Sequence, residues 1–166
     1  LSGEATNNDI QTNGFDIALN GVVTGIGDLR KLGAGVLTLS NANTYSGNTI
    51  FPTSGGGGAI RTNNLSALGT GNLQMFQPAT LDTVSDLTTG AIRGTTVLTK
   101  TGAGKLTVSG STSSTSTGGS IVVDQGVVQM NGRDSLGGVN SSTTGTGTLP
   151  SSQLNITLNS GTELLV

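Results

Sequence analysis

The chain has 166 residues, a net charge of −2, only 10% charged residues, 28 glycines, and neither cysteine nor histidine. Disulfides, thiolate or imidazole metal sites and His-activated nucleophiles are therefore excluded. Seven scattered basic residues with three Phe and one Tyr give no footprint for nucleic acid. No stretch approaches the ~20 apolar residues that cross a bilayer, and recurrent Leu, Ile and Val at low net charge describe an ordered domain rather than disorder.

Leu1 to Ile10 is polar and lacks helical periodicity. Leu1 in place of Met, with no charged or apolar leader after it, reads as a processed or excised chain. After the Asn13-Gly14 turn signal, Phe15, Ile17 and Leu19 share one parity, which predicts a strand with those three side chains inward. Asn20-Gly21 marks the next turn. Gly25-Ile26-Gly27-Asp28 has the outline of a calcium nonapeptide, but one incomplete copy supplies no ligands from neighbouring turns, so these are turn glycines.

In Leu29 to Ser40, Leu37 and Leu39 alternate with Thr38 and Ser40 after the Gly33-Ala34-Gly35 run, predicting a strand with both leucines buried. The Gly55 to Gly58 run is another break, and Leu73-Gln74-Met75 another short strand. Leu81 to Asp86 reads as a loop. Its Asp82 and Asp86 are, among Glu4, Asp9, Asp16, Asp28, Asp82, Asp86, Asp124, Asp134 and Glu163, the closest approach to the two carboxyls a glycosidase needs. Turn residues satisfying local backbone groups are the favoured reading of both.

Leu98 to Ser109 repeats Leu29 to Ser40 with eight of twelve residues identical, 69 positions on (100 − 31). Lys105 replaces Val36 on the outward parity, where a charge costs little. Gly102-Ala103-Gly104-Lys105 lacks the first glycine and the Ser/Thr of a phosphate-binding loop and precedes a strand, so phosphate cradling is excluded. Ser111 to Thr117 reads as a polar loop, followed by strands at Ile121 to Val123 and Val127 to Met130, a turn at Asn131-Gly132, a Ser/Thr/Gly insertion from Val139 to Leu149, and strands at Leu154 to Leu158 and Leu164 to Val166. The sequons at Asn64, Asn140 and Asn155 are expected by chance in such a composition.

Asn-Gly between alternating runs also suits hairpins, leaving an antiparallel sandwich as the competing fold. The repeat argues for stacked coils instead. At ~20–25 residues per coil the 69-residue spacing is about three coils, which places Leu37 and Leu106, Leu39 and Val108, and Ile60 and Val128 at equivalent interior positions three coils apart. The fold class is all-β, a parallel β-helix (β-solenoid) of about seven coils. It forms one domain over 1–166: a lead-in coil (1–28) and two repeat copies (29–97 and 98–166).

The string Lys-x-Gly-x-Gly-x-Leu-Thr-Leu-Ser, then Asn43-Thr44-Tyr45-Ser46-Gly47 and Ser66-Ala67-Leu68-Gly69, resembles the autotransporter-associated β-strand repeat of bacterial surface proteins, as does the lead-in Asn13 to Gly21. The second copy departs from it by replacing the Asn-Thr-Tyr element with Ser113 to Thr117 and by the Val139 to Leu149 insertion. The resemblance implies a right-handed β-helix, extracellular or at the cell surface and associated with the outer membrane of a bacterium. It implies no fixed activity. The expected function is non-enzymatic, that of a stalk or adhesive surface segment, without catalytic, cofactor-binding or metal-binding residues. The alternatives are a filament subunit stacking end to end and a polysaccharide-binding or polysaccharide-cleaving β-helix. Expected partners are further β-helix coils at either end and a host or neighbouring-cell surface or glycan, with no nucleic acid and no membrane insertion of this segment.

Overall fold

The structure, a computed structural model, describes residues 7–110, 119–131 and 155–165. Within them lie β1 (Asn7–Gln11), β2 (Ile17–Leu19), β3 (Asp28–Leu32), β4 (Val36–Leu39), β5 (Thr49–Phe51), β6 (Ala59–Thr62), β7 (Leu73–Met75), β8 (Ala79–Thr83), β9 (Leu87–Thr89), β10 (Ile92–Gly94), β11 (Val97–Thr101), β12 (Lys105–Val108), β13 (Ser120–Val123), β14 (Val127–Met130), β15 (Asn155–Leu158) and β16 (Glu163–Leu165). The described residues contain no helix. Every strand pairing among the described residues is parallel. That removes the antiparallel sandwich, since hairpins make antiparallel pairs. Asn13 (φ 51°) and Gly14 (φ 84°) do form the tight turn their sequence announces, closed by Phe15 N–H to the Thr12 carbonyl at 2.9 Å. In a solenoid that turn rounds a corner.

The chain winds through about six turns. Side A stacks β1-β3-β5-β7-β10, side B stacks β2-β4-β6-β8-β11-β13-β15, and side C stacks β9-β12-β14-β16. Side C has strands only from the fourth coil onward. In earlier coils its backbone still follows the coil below, through Thr44 N–H to Val23 O (3.0 Å) and Thr70 N–H to Tyr45 O (3.0 Å). Buried Asn43 takes the Val23 N–H (2.8 Å) and gives its amide to Ala67 O (2.7 Å), joining three coils with one side chain.

The interior is a continuous column of apolar side chains, including Leu37, Leu39, Ile60, Leu81, Leu98, Leu106, Val108, Ile121 and Val128, all fully buried. Each fully buried aliphatic residue contributes about 1.5–3 kcal/mol. The alternation that predicted these strands follows from the pleat, which turns every second residue inward.

The two repeat copies do not stand on the same side of the solenoid. β3 lies on side A while its counterpart β11 lies on B; β4 and β6 lie on B while β12 and β14 lie on C. The expected pairs are all interior, but they sit three coils plus one side apart. The residue count explains this. Leu29 stands in register with Thr49, Leu73 and Ile92 up side A, so three coils take only 63 residues (92 − 29). The remaining six carry the chain round the corner to Leu98.

Two further expectations change. Phe15 belongs to the turn before β2 rather than to the strand and is 76% exposed, leaving Ile17 and Leu19 as the inward pair. Asp82 lies in strand β8, not in a loop; Asp86 occupies the turn before β9. The segments 111–117 and 139–149, Glu4, Asp134, Asn140 and Val166 lie outside the described residues.

Candidate functional site

The two copies place the Lys-x-Gly-x-Gly string at a corner: Lys31 ends β3 one residue early and the A–B corner follows, while Lys100 does the same in β11 before the B–C corner. Alternation dictates where the lysines point. Leu29 and Leu98 face the interior, so two residues on Lys31 and Lys100 must do so too. Both lysines are fully buried.

Burying an ammonium is costly unless its N–H groups find acceptors. Lys31 Nζ donates to Leu32 O (3.2 Å), Gly33 O (2.5 Å) and Thr12 Oγ1 (3.3 Å). Lys100 Nζ donates to Thr101 O (3.1 Å), Gly102 O (2.8 Å) and Gln125 O (2.9 Å). In each copy the next two carbonyls of its own turn receive it, and one oxygen from an adjacent coil completes the set. Gly33 (φ 83°) and Gly102 (φ 77°) have the left-handed backbone that makes this turn, and a Cβ on Gly33 would come within 2.5 Å of Thr12 Oγ1.

The coil beneath each corner supplies matching parts. Thr12 Oγ1 donates to Leu32 O and receives Gly35 N–H, while Thr83 Oγ1 meets Thr101 O and Gly104 O. Asp16 Oδ1 receives Val36 N–H and Asp86 Oδ1 receives Lys105 N–H, both at 2.9 Å. Burial lowers the pKa of Lys31, opposed by Asp16. Burial lowers that of Lys100 to about 8, opposed by Asp82 and Asp86. Buried Tyr45, whose hydroxyl lies 2.6 Å from Thr49 Oγ1, has its pKa raised by desolvation.

The described aspartates serve the same purpose as the lysines, tying coil to coil. Asp82 pairs with Arg61 (2.7 Å) and Asp9 with Arg30 (3.3 Å); Asp28 receives Asn48 N–H (2.6 Å); Asp124 receives the Asn159 amide. The fold thus engages Asp82 with a guanidinium and Asp86 with a backbone amide. Gly25 to Asp28 is likewise committed, its carboxylate being taken by the next coil. At Gly102 to Lys105 the amides are spent too, Gly102 N–H on Gln125 Oε1 and Gly104 N–H on Thr83 O. No group of three metal-ligating side chains occurs among the described residues. Asn64 Oδ1 takes Ser66 N–H in a local turn, and Asn155 begins β15.

Sequence reasoning missed the two buried lysines. Their signal was present: each shares the parity of the buried leucine two residues before it, in both copies.

A family model described as the passenger-associated-transport-repeat matches residues 29–55 and 98–130. Its two matches begin at Leu29 and Leu98, the starts of the two internal copies. No curated protein and no solved structure matches the chain.

Proposed function

We propose that this chain, a β-solenoid whose two matched segments are repeats of the autotransporter passenger type, is a non-enzymatic shaft segment at the outer surface of a bacterial cell, holding what it carries away from the membrane. The observation that carries the reading is how the ionisable groups are spent. Both interior lysines and all six described aspartates bond to a residue of a neighbouring coil, so their charge goes into continuity along the axis. Stacked coils joined only to their neighbours make length and surface.

Sugar binding by aromatic stacking has little support. Phe15 and Phe76 are exposed but three coils apart in the stack, while Tyr45 and Phe51 are buried. A glycan array together with a polysaccharide-turnover assay tests this; no binding and no turnover are expected, and turnover that vanished with Asp82→Asn or Asp86→Asn would overturn the proposal. Surface placement is tested by protease accessibility on intact cells of an epitope inserted after Gly21, an exposed turn residue with open space around it.

A second reading, end-to-end stacking, is favoured by the terminal coils. Ile10, Ile17, Leu19 and Val23 at one end and Ile156 and Leu164 at the other are only partly covered among the described residues, where β1, β2, β15 and β16 each pair on one side. Such edges accept another parallel strand. Its source is further coils of the same chain or of an identical one. Sedimentation against concentration tests the latter, with rods of increasing length expected and a strictly monomeric species against it.

A further inference from the structure

Successive coils of a solenoid present nearly interchangeable interiors. Up side B the column Leu37, Ile60, Leu81, Lys100, Val123 is apolar at every step but one. On side A, Lys31 stands beside Ile10, and Phe51 beside Met75 further along the stack. Sliding one strand by a whole coil along such a column exchanges one aliphatic contact for another and costs little, because the hydrophobic effect is not directional. The buried face fixes which residues of a strand point inward, but where interior residues are alike it does not fix which coil they stack on.

The lysines remove that degeneracy. An ammonium displaced by one coil would lie where Leu81 or Val123 lies, among aliphatic side chains. In its own coil it meets two carbonyls of the left-handed glycine turn and one oxygen of an adjacent coil. The adjacent oxygen comes from opposite directions in the two copies: Thr12 in the coil before Lys31, Gln125 in the coil after Lys100. A Cβ at Gly126 would lie 2.9 Å from Lys100 Nζ, so the coil above is fitted to the ammonium as well. No carboxylate forms an ion pair with either lysine among the described residues.

We propose that Lys31 and Lys100 are register pins: buried cations that fix which coil stacks on which, at some expense of stability, in the way a single buried polar residue fixes the register of a coiled coil. The idea concerns how the shaft assembles and does not depend on where the shaft is displayed.

The test uses the whole 166-residue chain. K31M, K100M, K100L and the K31M/K100M double variant are compared with the parent and with K105M, whose lysine lies on the outer face. Urea unfolding and amide NMR spectra are recorded for each. Urea midpoints at or above the parent's are expected, within about 0.3 M on the low side. The double variant should give two or more sets of amide peaks for β4, β6, β8 and β11, and should refold several-fold more slowly, while K105M matches the parent in both. A single set of peaks in the double variant overturns the proposal, whatever its midpoint. So does loss of cooperative unfolding in both K100M and K100L, which would make the lysine a requirement for stability instead of for register.

Discussion

The first and second corners share a sequence and differ in address. Lys31-Leu32-Gly33-Ala34-Gly35 turns the chain from side A to side B, and Lys100-Thr101-Gly102-Ala103-Gly104 turns it from B to C, yet the turn, the buried ammonium and the Thr and Asp beneath are reproduced. What the repeat encodes is a corner, not a side. The side is decided by how many residues lie between, and the coils from β7 through β12 are short. There Leu81 stands beside Lys100 only 19 residues on (100 − 81), whereas Leu37 and Ile60 are separated by 23 (60 − 37). As the corner moves, the strands move with it. Side A has no strand after β10 among the described residues, and side C begins its sheet at β9.

If the two corners are equivalent units, equivalent substitutions should cost the same on different sheets. The largest effect is expected from Leu37→Asp and Leu106→Asp, each placing a carboxylate in the apolar interior. Both should lose about 4 kcal/mol or more, enough to unfold a chain of ordinary stability. Lys105→Asp, one residue from Leu106 but outward, should stay within about 0.5 kcal/mol. Urea unfolding distinguishes them, and a large gap between the two Leu→Asp variants would mean that the copies differ in their packing as well as in their address.

Next in size are the glycines. Gly33→Ala and Gly102→Ala combine a left-handed φ with a Cβ that overlaps the coil below, so each should cost about 2–4 kcal/mol. Gly14 has a similar φ of 84° with open space around it, and Gly14→Ala should cost only about 1 kcal/mol. Should all three cost alike, backbone conformation would be the whole effect and the close approach of the coils would contribute nothing.

Much of this was legible in the sequence, and the limits have physical causes. Alternation and the paired glycines revealed the coils and the buried leucines, because the pleat and the left-handed turn are local requirements. The phase between the copies was not legible. It depends on where each corner closes, and β5, β9 and β10 are three-residue strands, too short to show an alternation, while Asp82 made β8 read as a loop. Phe15 was misassigned because the turn at Asn13 and Gly14 closes on the Phe15 N–H, so the pleat begins only at Ile17. The lysines were overlooked because charge normally signals the outer face, and two carbonyls of the lysine's own turn with one oxygen of an adjacent coil make an inward ammonium tolerable.

The threonines beneath the corners are where the copies should differ. Thr12 Oγ1 accepts from Lys31 Nζ and from Gly35 N–H, so Thr12→Val leaves a buried cation short of a partner and should cost about 2–3 kcal/mol. Thr83 Oγ1 meets only backbone oxygens, and Lys100 draws its third acceptor from Gln125, so Thr83→Val should cost about 1 kcal/mol. Equal losses would show that the ammonium does not depend on the hydroxyl.

The smallest effect is a pH dependence, and its sign follows from burial. The folded-state pKa of Lys100 is about 8, against 10.5 ordinarily, and that of Lys31 is also lowered. Between pH 8 and 10.5 the unfolded chain therefore keeps a proton on Lys100 that the folded chain has lost, and stability rises with pH across that window. Below pH 8 both states are charged at Lys100 and its contribution is flat. Asp82 and Asp86 beside Lys100, and Asp16 beside Lys31, favour the ammonium, which limits the rise without reversing it. Tyr45 acts in the opposite sense. Its raised pKa means that the unfolded phenol ionises first, so stability falls again above its ordinary value of 10.0. Urea midpoints should thus climb from pH 8 to a maximum near pH 10 and then decline. K100M should remove most of the climb, K31M a smaller part, and K105M none of it. A parent midpoint that is flat over this range would mean that the corner carbonyls compensate the buried ammonium in full.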